Sequence, residues 1–366
     1  MNKNIIVIKI WTNALLDGKW DIDKKIIVSL AGQIYKLNQE FGKKVILISS
    51  GAVWLGRDKI ENKLSKKFSK TEEKQILASI WQPVLINEYQ KAFDYYNIIV
   101  AQALLTRSDF ADRKKYLSMR NVFSDLIDNN IVPIINENDV LSSEELDFSD
   151  NDQLSAYVAG MLWAEKLIIL SDINGLYSKH PSFPDAEKID IVNEITEDII
   201  KMADTDVKTK SGTWWMLSKL QTAKLVMNLG IGMHIAYAKI DNILLDIVWW
   251  KNKGTAFISL ENKKLSGIRT WLTTWAYPKW KIFVSTIISD LLKNKKRASI
   301  LASGICKISG NFEKQDVIEV ISIDDKTVLW HGIVKFNNSD LEVILWKDED
   351  ERKNTIVIHT DYFLGS

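Results

Sequence analysis

One lysine in this 366-residue chain stands where phosphate chemistry could use it, and another lies at a predicted strand end. Lys9 lies near the end of a short apolar run, and Lys219 closes the segment Ser211–Lys219, which leads into an amphipathic helical pattern. An ammonium group beside a helix start can neutralise charge on a phosphoryl group during its transfer. Two adjacent tryptophans, Trp214 and Trp215, do not suit that segment, because a phosphate loop needs glycine to let bare backbone approach the ligand.

Further polar residues follow the predicted strands. Ser49–Ala52 offers hydroxyls and backbone N–H groups beside a helix-compatible segment, which suits an anion, although such a sequence is as often only a turn. Asn136–Asp139 follows a strand and Asp150–Asp152 opens a helix, so their carboxylates and amides could bind an ammonium group, a carboxylate or a metal. Asp150–Asp152 is also a good helix cap. Ser171–Tyr177 is a strand end that turns sharply at Gly175.

The elements that would position these residues are visible over about the first 257 residues, where short β-branched runs alternate with amphipathic segments. This alternation predicts an α/β fold with a mostly parallel sheet covered by helices on both faces. Ligands should gather at the carboxyl ends of its strands. The predicted strands are Ile5–Ile10, Val45–Ser49, Ile98–Leu104, Val132–Ile135, Leu167–Leu170 and Met233–Ala238, and the predicted helices are Lys24–Glu40, Glu72–Tyr96, Lys115–Asp128, Asn151–Ala164 and Met216–Leu229.

A second domain is predicted after the polar, aperiodic stretch at 259–266. The α/β domain would then span residues 1–258, and residues 267–366 would form a small β-rich barrel of about 100 residues. Its predicted elements are strands at Ala298–Ile308, Val317–Ser322, Val328–Phe336 and Thr355–His359, with one helix at Ile287–Lys295.

The composition excludes several classes of protein. The 48 basic and 47 acidic residues leave a formal charge of +1, which argues against binding of polyanions by bulk charge. One cysteine excludes an internal disulfide, and four scattered histidines do not make a zinc site. The N-terminal apolar run is broken at Lys9 and reads as a strand rather than a signal peptide. No apolar stretch approaches the roughly 18 residues of a membrane span. The single cysteine makes a reducing cytoplasm the expected location.

Several motifs together carry a resemblance that extends nearly from end to end. The chain resembles the glutamate 5-kinase family, amino acid kinases with a C-terminal PUA domain, which implies the amino acid kinase fold followed by a small PUA barrel. The motifs appear in the order and spacing of that family. They are SSGAV at 49–53, QP at 82–83, INEND at 135–139, DNDQLSA at 150–156, SDINGLY at 171–177, the 212–224 segment, PKW at 278–280 and GIVKFNNSDL at 332–341.

The resemblance implies transfer of the ATP γ-phosphoryl group to the side-chain carboxylate of L-glutamate, the first step of proline biosynthesis, with Mg²⁺ accompanying the ATP. Lys9 and Lys219 would flank the moving group and Asp152 would organise the two lysines. The residues implied to bind glutamate are Ser50, Asp139 and Asn151, and those implied to bind the nucleotide are Lys9, Ser171, Asp172, Thr213, Trp214, Trp215, Met216, Leu217, Ser218 and Lys219.

The resemblance also implies partners, and it leaves rivals open. It implies a homo-oligomer, a tetramer or a dimer, feedback inhibition by proline, and a possible glutamyl phosphate reductase partner. Acetylglutamate kinase, aspartate kinase and uridylate kinase are rivals in the same superfamily. An RNA-binding PUA protein with an inactive kinase domain is a rival of another class, favoured by a basic cluster at Lys293–Arg297, although such a run is usually a solvated face.

The tryptophans form a pattern of their own. The 14 tryptophans and 16 glycines together make up about 8% of the chain, close to the ordinary glycine content of about 7%. We interpret most of these tryptophans as UGA codons that encode glycine in the native genome; the alternative is a degraded, inactive kinase. Read with tryptophan, the chain is expected to fold poorly and to show little activity. Trp271 matches a tryptophan of the family, whereas the family has glycine at the positions of Trp11, Trp81, Trp163, Trp214, Trp215, Trp250, Trp280 and Trp346.

Overall fold

The chain forms two compact units, residues 1–264 and residues 265–366. The computed structural model describes 4–17, 21–51, 68–141, 150–179, 183–203, 212–249, 251, 253–259, 280–294, 299–314, 316–359 and 363–365. Among these residues, no helix has both the length and the apolar character that crossing a bilayer requires. The stretch predicted as the domain boundary lies almost entirely outside the described residues.

The first unit is built on an eight-stranded sheet with the order β3-β4-β2-β1-β5-β9-β10-β8. Its neighbouring strands are parallel except for the antiparallel pair β9 and β10, which confirms the prediction of a mostly parallel α/β fold. The strands of this unit are β1 Ile5–Ile10, β2 Lys44–Ser49, β3 Val100–Leu105, β4 Val132–Glu137, β5 Lys166–Ser171, β6 Leu176–Tyr177, β7 Lys188–Ile189, β8 Ile191–Val192, β9 Gly232–Tyr237 and β10 Thr255–Phe257.

The helices of this unit connect the strands. All predicted strands and helices are present with ends shifted by at most two residues, except for the last helix, which begins four residues earlier than predicted. The short elements β6, β7, β8 and β10 and several short helices were not predicted. The helices are α1 Thr12–Leu15, α2 Lys24–Phe41, α3 Lys70–Asp94, α4 Arg107–Ala111, α5 Arg113–Asp128, α6 Asn151–Leu162, α7 Glu197–Ala203, α8 Gly212–Asn228 and α9 Ile243–Val248.

The carboxyl ends of the central strands are aligned by the register of the sheet. Ile10 pairs with Ser49 of β2 and with Leu170 of β5, so these three strands end at nearly the same level. All six residues of β5 are buried, as expected for a strand covered on both faces. Residues that follow β1, β2 and β5 in the sequence are therefore brought to one edge of the sheet.

Helix α6 begins at this edge and has clear start and stop signals. Asp150 caps its N-terminus by accepting hydrogen bonds from the backbone N–H groups of Asp152 and Gln153. The helix ends at Trp163, which has φ 55° and ψ 45°. This left-handed conformation is the usual place of a glycine after a helix, and a side chain with a β-carbon costs about 1–2 kcal/mol there. Trp163 therefore supports the interpretation of that position as a glycine position.

The second unit contains a five-stranded sheet with the order β13-β11-β14-β15-β17 and a small two-stranded sheet of β12 and β16. The prediction of one strand over Ala298–Ile308 was wrong, because a 3₁₀ turn at Ala302–Gly304 divides it into two. Two helices, α11 and α12, were not predicted. The elements are β11 Trp280–Val284, α10 Thr286–Lys293, β12 Ile300–Leu301, β13 Ile305–Ser309, β14 Val317–Ser322, β15 Val328–Ile333, α11 Asn338–Leu345, α12 Glu349–Asn354, β16 Ile356–Ile358 and β17 Phe363–Gly365.

A compact apolar core fills this second unit, and Phe312, Val320 and Leu341 are almost fully buried within it. In the predicted basic cluster, Lys293 forms an ion pair with Asp325, with the nitrogen and oxygen 2.6 Å apart. The other basic residues of that cluster, at 295–297, lie outside the described residues.

Candidate active site

A buried triad of charged side chains lies at the carboxyl edge of the sheet. Lys9 comes from the end of β1, Asp152 from the first turn of α6 and Lys219 from α8. The Lys9 Nζ lies 2.7 Å from one carboxylate oxygen of Asp152, and the Lys219 Nζ lies 3.1 Å from the other. At most 2% of each side chain is exposed. The carboxylate thus fixes both ammonium groups, and the structure brings together the three residues predicted to be catalytic.

The electrostatics of the triad favour an anionic ligand. Burial lowers the pKa of Lys9 to about 8 and Lys219 acts in the same direction, although the negative charge of Asp152 opposes both. Burial also penalises the Asp152 carboxylate, but the two lysines outweigh burial and hold its pKa below the usual range. Each ammonium group has three N–H donors, so both lysines can bind a phosphate oxygen in addition to Asp152. The Asp150 carboxyl also acts on both lysines, but burial raises its pKa.

The indole of Trp11 occupies the space beside both ammonium groups. Its ring centroid lies 3.7 Å from the Lys9 Nζ and 3.6 Å from the Lys219 Nζ. Its Nε1–H donates a hydrogen bond of 3.1 Å to Asp152, and only 8% of the residue is exposed. The backbone at Trp11 is unstrained, with φ −77°, so backbone conformation does not disfavour tryptophan here. The indole instead blocks the contact that a phosphate would make with the lysines.

A chain of amide hydrogen bonds lies at the ends of β2 and β4. The Asn151 side-chain N–H group donates to the Ser50 hydroxyl at 2.8 Å and to Asn136 at 2.9 Å. Asn136 in turn donates to Gln82 of α3 at 2.9 Å. The Oδ1 atom of Asn151 is buried and has no hydrogen-bond partner among the described residues. Such an atom is a ready acceptor for a ligand.

This network contains two residues predicted to bind glutamate, Ser50 and Asn151, which bond to each other directly, and it extends from Asn151 to residues that received no role from the sequence. Gln82 and Asn136 belong to the motifs QP and INEND, but motif membership does not reveal which side chains touch each other. The chain turns after Ser50 at Gly51, whose φ of 113° requires glycine. The third residue predicted to bind glutamate, Asp139, follows β4 and forms an ion pair with Lys74 of α3. The nitrogen and oxygen are 2.9 Å apart.

The residues predicted to bind nucleotide lie after β5 and at the start of α8. The Ser171 hydroxyl donates to Asp172 at 3.0 Å, and Asn13 donates to the other oxygen of Asp172 at 3.1 Å. Ser218 donates its hydroxyl to Asp150 and so connects α8 to the start of α6. Met216 and Leu217 are half-buried beside it.

One expectation about this region was wrong. The segment 212–215 was predicted as an open loop, whereas α8 begins at Gly212 and contains Thr213, Trp214 and Trp215 in its first turn. Tryptophan costs less free energy in a helix than glycine does, so the sequence as printed favours the longer helix. The first backbone N–H groups of a helix lack partners within the helix and can still face an anion.

A parallel sheet with two buried lysines and a helix start at its carboxyl edge is the arrangement of an α/β phosphotransferase. The sequence profile of the Amino acid kinase family matches residues 4–237, and the chain belongs to this family. The fold agrees, since carbamate kinase from Giardia lamblia bound to AMP-PNP superposes with a TM-score of 0.51 at 21% identity, over 70% of this chain and 98% of that one. Isopentenyl phosphate kinase superposes with a TM-score of 0.50 at 16% identity, over 69% of this chain and 99% of that one.

Curated relatives give a more specific likeness. The chain is 38% identical over 341 residues to the glutamate 5-kinase of Caldanaerobacter subterraneus subsp. tengcongensis, covering 93% of this chain and 90% of that protein. It is 37% identical over 353 residues to the glutamate 5-kinase of Dictyoglomus thermophilum, covering 96% and 92%. The glutamate 5-kinase of Streptococcus sanguinis is 33% identical over 366 residues, covering 100% and 97%. The resemblance seen in the motifs is confirmed.

Proposed function

We propose that this chain transfers the γ-phosphoryl group of ATP to the side-chain carboxylate of L-glutamate, giving glutamyl 5-phosphate and ADP. The observation that carries the proposal is the buried triad of Lys9, Asp152 and Lys219, which presents two ammonium groups next to an amide network. The relatives named glutamate 5-kinase, matched over nearly the whole chain, support the choice of acceptor.

The reaction needs little covalent help from the protein. A glutamate carboxylate, with a pKa near 4.3, is ionised at neutral pH and attacks without a general base. Its oxygen forms a bond to the γ-phosphorus while the bond from phosphorus to the bridging oxygen breaks and leaves its electron pair on ADP. Two anions must therefore be aligned and their repulsion cancelled. Lys9 and Lys219 serve this purpose, and Asp152 holds both ammonium groups in place.

The remaining site residues divide between the two substrates. Ser50, Asn151 and Asp139 bind glutamate, with Asp139 on the α-ammonium group. Ser171, Asp172 and the start of α8 bind the nucleotide. Mg²⁺ would accompany the ATP and shield its phosphates. The described residues contain no group of three or more His, Cys, Asp or Glu side chains that could hold a metal. In nucleotide sites Mg²⁺ is usually held by substrate phosphate oxygens, water and one or two carboxylates.

A substrate panel tests the proposal. ATP consumption is measured with glutamate, acetylglutamate, aspartate and UMP, using the full chain with glycine at positions 11, 81, 214, 215 and 280. Glutamate is expected to give the highest kcat/KM, at least about a hundredfold above acetylglutamate, because the acetyl group removes the positive charge that Asp139 would bind. A preference for acetylglutamate, aspartate or UMP would reject the proposal.

We also propose that most of the 14 tryptophan positions carry glycine in the protein made by its native organism. Trp163 supports this, because three of the other four described non-glycine residues with positive φ are asparagine, which tolerates that conformation. The buried Nε1 of Trp81 has no hydrogen-bond partner among the described residues, which is costly for an indole. Peptide sequencing of the native protein is expected to find glycine at 11, 81, 214 and 215. Indole-containing peptides there would contradict it.

We base proposals on regulation and assembly on the same likeness to glutamate 5-kinases. We expect a homo-oligomer, a dimer or a tetramer, inhibition by proline, and delivery of the reactive acyl phosphate to a glutamyl phosphate reductase. The second unit, with its five-stranded sheet, is proposed to be a PUA domain. The relatives named glutamate 5-kinase support a place at the start of proline biosynthesis.

A further inference from the structure

An ion pair outside the triad lies directly beside the proposed glutamate site. The Lys74 Nζ is 2.9 Å from an oxygen of Asp139, and the two side chains are 39% and 11% exposed. Lys74 projects from the start of α3, and Asp139 follows β4. A cavity of about 260 Å³ opens next to the pair and is lined by Ser79, Gln82 and Asp139 among others. The catalytic mechanism gives Lys74 no role.

The charges of this pair match the head group of an amino acid. The α-carbon of a free amino acid carries an ammonium group and a carboxylate on neighbouring bonds. If the ammonium group binds Asp139, the α-carboxylate lies close to the position that the Lys74 ammonium occupies. The single ion pair between Lys74 and Asp139 is then replaced by two, one from each side chain to the substrate. No buried charge is left without a partner, and leaving one unpaired would be costly. The flexible, partly exposed stem of Lys74 allows the small shift that this exchange needs.

We propose that Lys74 binds the α-carboxylate of the amino acid substrate while Asp139 binds its α-ammonium group. This inference rests on the proposed function and specifies which end of glutamate each side chain recognises. It also separates two tasks within the site. Lys74 and Asp139 select a free amino acid head group, whereas Lys9 and Lys219 act on the phosphoryl group at the other end of the substrate.

The test replaces Lys74 by methionine, which keeps the length of the side chain and removes its charge. Lys70→Met is the matched control, since Lys70 lies one turn earlier on the same helix and is exposed. Both variants and the parent are assayed as full-length chains with glycine at 11, 81, 214, 215 and 280. The substrates are glutamate and glutamate α-amide, in which a neutral carboxamide replaces the α-carboxylate.

Lys74→Met is expected to raise the KM for glutamate by about 10- to 100-fold, the usual effect of losing a charged hydrogen bond, with kcat within about threefold of the parent. The parent should prefer glutamate to the α-amide by a similar factor, and Lys74→Met should lose that preference. Lys70→Met should leave both values unchanged.

Two outcomes would overturn the inference. A lower KM for glutamate in Lys74→Met would mean that Lys74 only competes with the substrate ammonium for Asp139. An undiminished preference for glutamate over its α-amide would place the α-carboxylate elsewhere. In either case turnover of glutamate by the parent leaves the proposed function intact. A parent that neither binds nor phosphorylates glutamate would remove both the proposed function and this inference.

Discussion

Replacing Trp11, Trp214 and Trp215 by glycine is expected to raise kcat for ATP-dependent glutamate phosphorylation by about 10³-fold or more over the chain as printed. In that chain both ammonium groups of the triad lie against the Trp11 indole, within 4 Å of its ring centroid. Each group that stabilises transition-state charge is worth about 10²–10³ in rate, and the indole blocks two of them. Glycine at 11 leaves the lysines free to contact phosphate oxygens.

The measurement is a steady-state assay of ADP formation at saturating ATP and glutamate. Trp346→Gly is a matched control, because that side chain is 90% exposed in the second unit and its replacement should not change kcat. Trp11→Gly alone separates the effect at the triad from that at the start of α8. Equal activity in the printed chain and the triple variant would show that an indole is compatible with phosphoryl transfer, and the proposed role of the two lysines would fail.

The sheet was predictable because its residues carry a local signal. In β5 every side chain is buried, and a continuous apolar run between two amphipathic segments has few other interpretations. The C-terminal strand at Ala298–Ile308 was harder to predict. Its apolar residues continue through the 3₁₀ turn at Ala302–Gly304, so periodicity alone does not mark the break. The two-residue strands depend on tertiary pairing and have no local signature of their own.

The site was partly predictable, and its limits have a physical cause. Motifs identified Lys9, Asp152 and Lys219, but the link from Gln82 through Asn136 to Asn151 joins residues far apart in sequence. Such hydrogen bonds depend on how the ends of strands and helices meet, which spacing does not encode. The ion pair of Lys74 and Asp139 was missed for the same reason, since a lysine at a helix start usually reads as a solvated charge.

The physical basis of the tryptophan hypothesis was also only partly predictable from the sequence. The sequence predicted that the tryptophans would make the chain fold poorly, and among the described tryptophans only Trp163 has the positive φ at which a β-carbon is strained. At Trp11 the backbone is ordinary and the conflict is one of space and charge. The two positions therefore favour glycine for different reasons, a left-handed backbone after α6 and the proposed close approach of a ligand after β1. Residue type alone does not distinguish them.

Lys219→Met in the glycine form is expected to lower kcat by about 10²–10³-fold while changing the KM for glutamate by less than about threefold. Its ammonium group lies 3.1 Å from Asp152. In the proposed mechanism it acts on the transferring phosphoryl group and not on the amino acid end of the substrate. Asp152 keeps its bond to Lys9, so the carboxylate is not left unpaired and the variant should fold. Steady-state kinetics with glutamate and ATP varied in turn gives both parameters.

Lys224→Met supplies the matched control, since Lys224 lies on the same helix and is exposed. It should leave kcat unchanged. Urea unfolding of both variants checks that the loss of kcat in Lys219→Met does not come from a loss of folding stability. Lys219→Arg keeps the charge but changes its shape and reach, so it should retain more activity than Lys219→Met if charge is the main contribution. A Lys219→Met enzyme with the parent's kcat would remove Lys219 from the mechanism and leave Lys9 as the single cation of the triad that acts on the phosphoryl group.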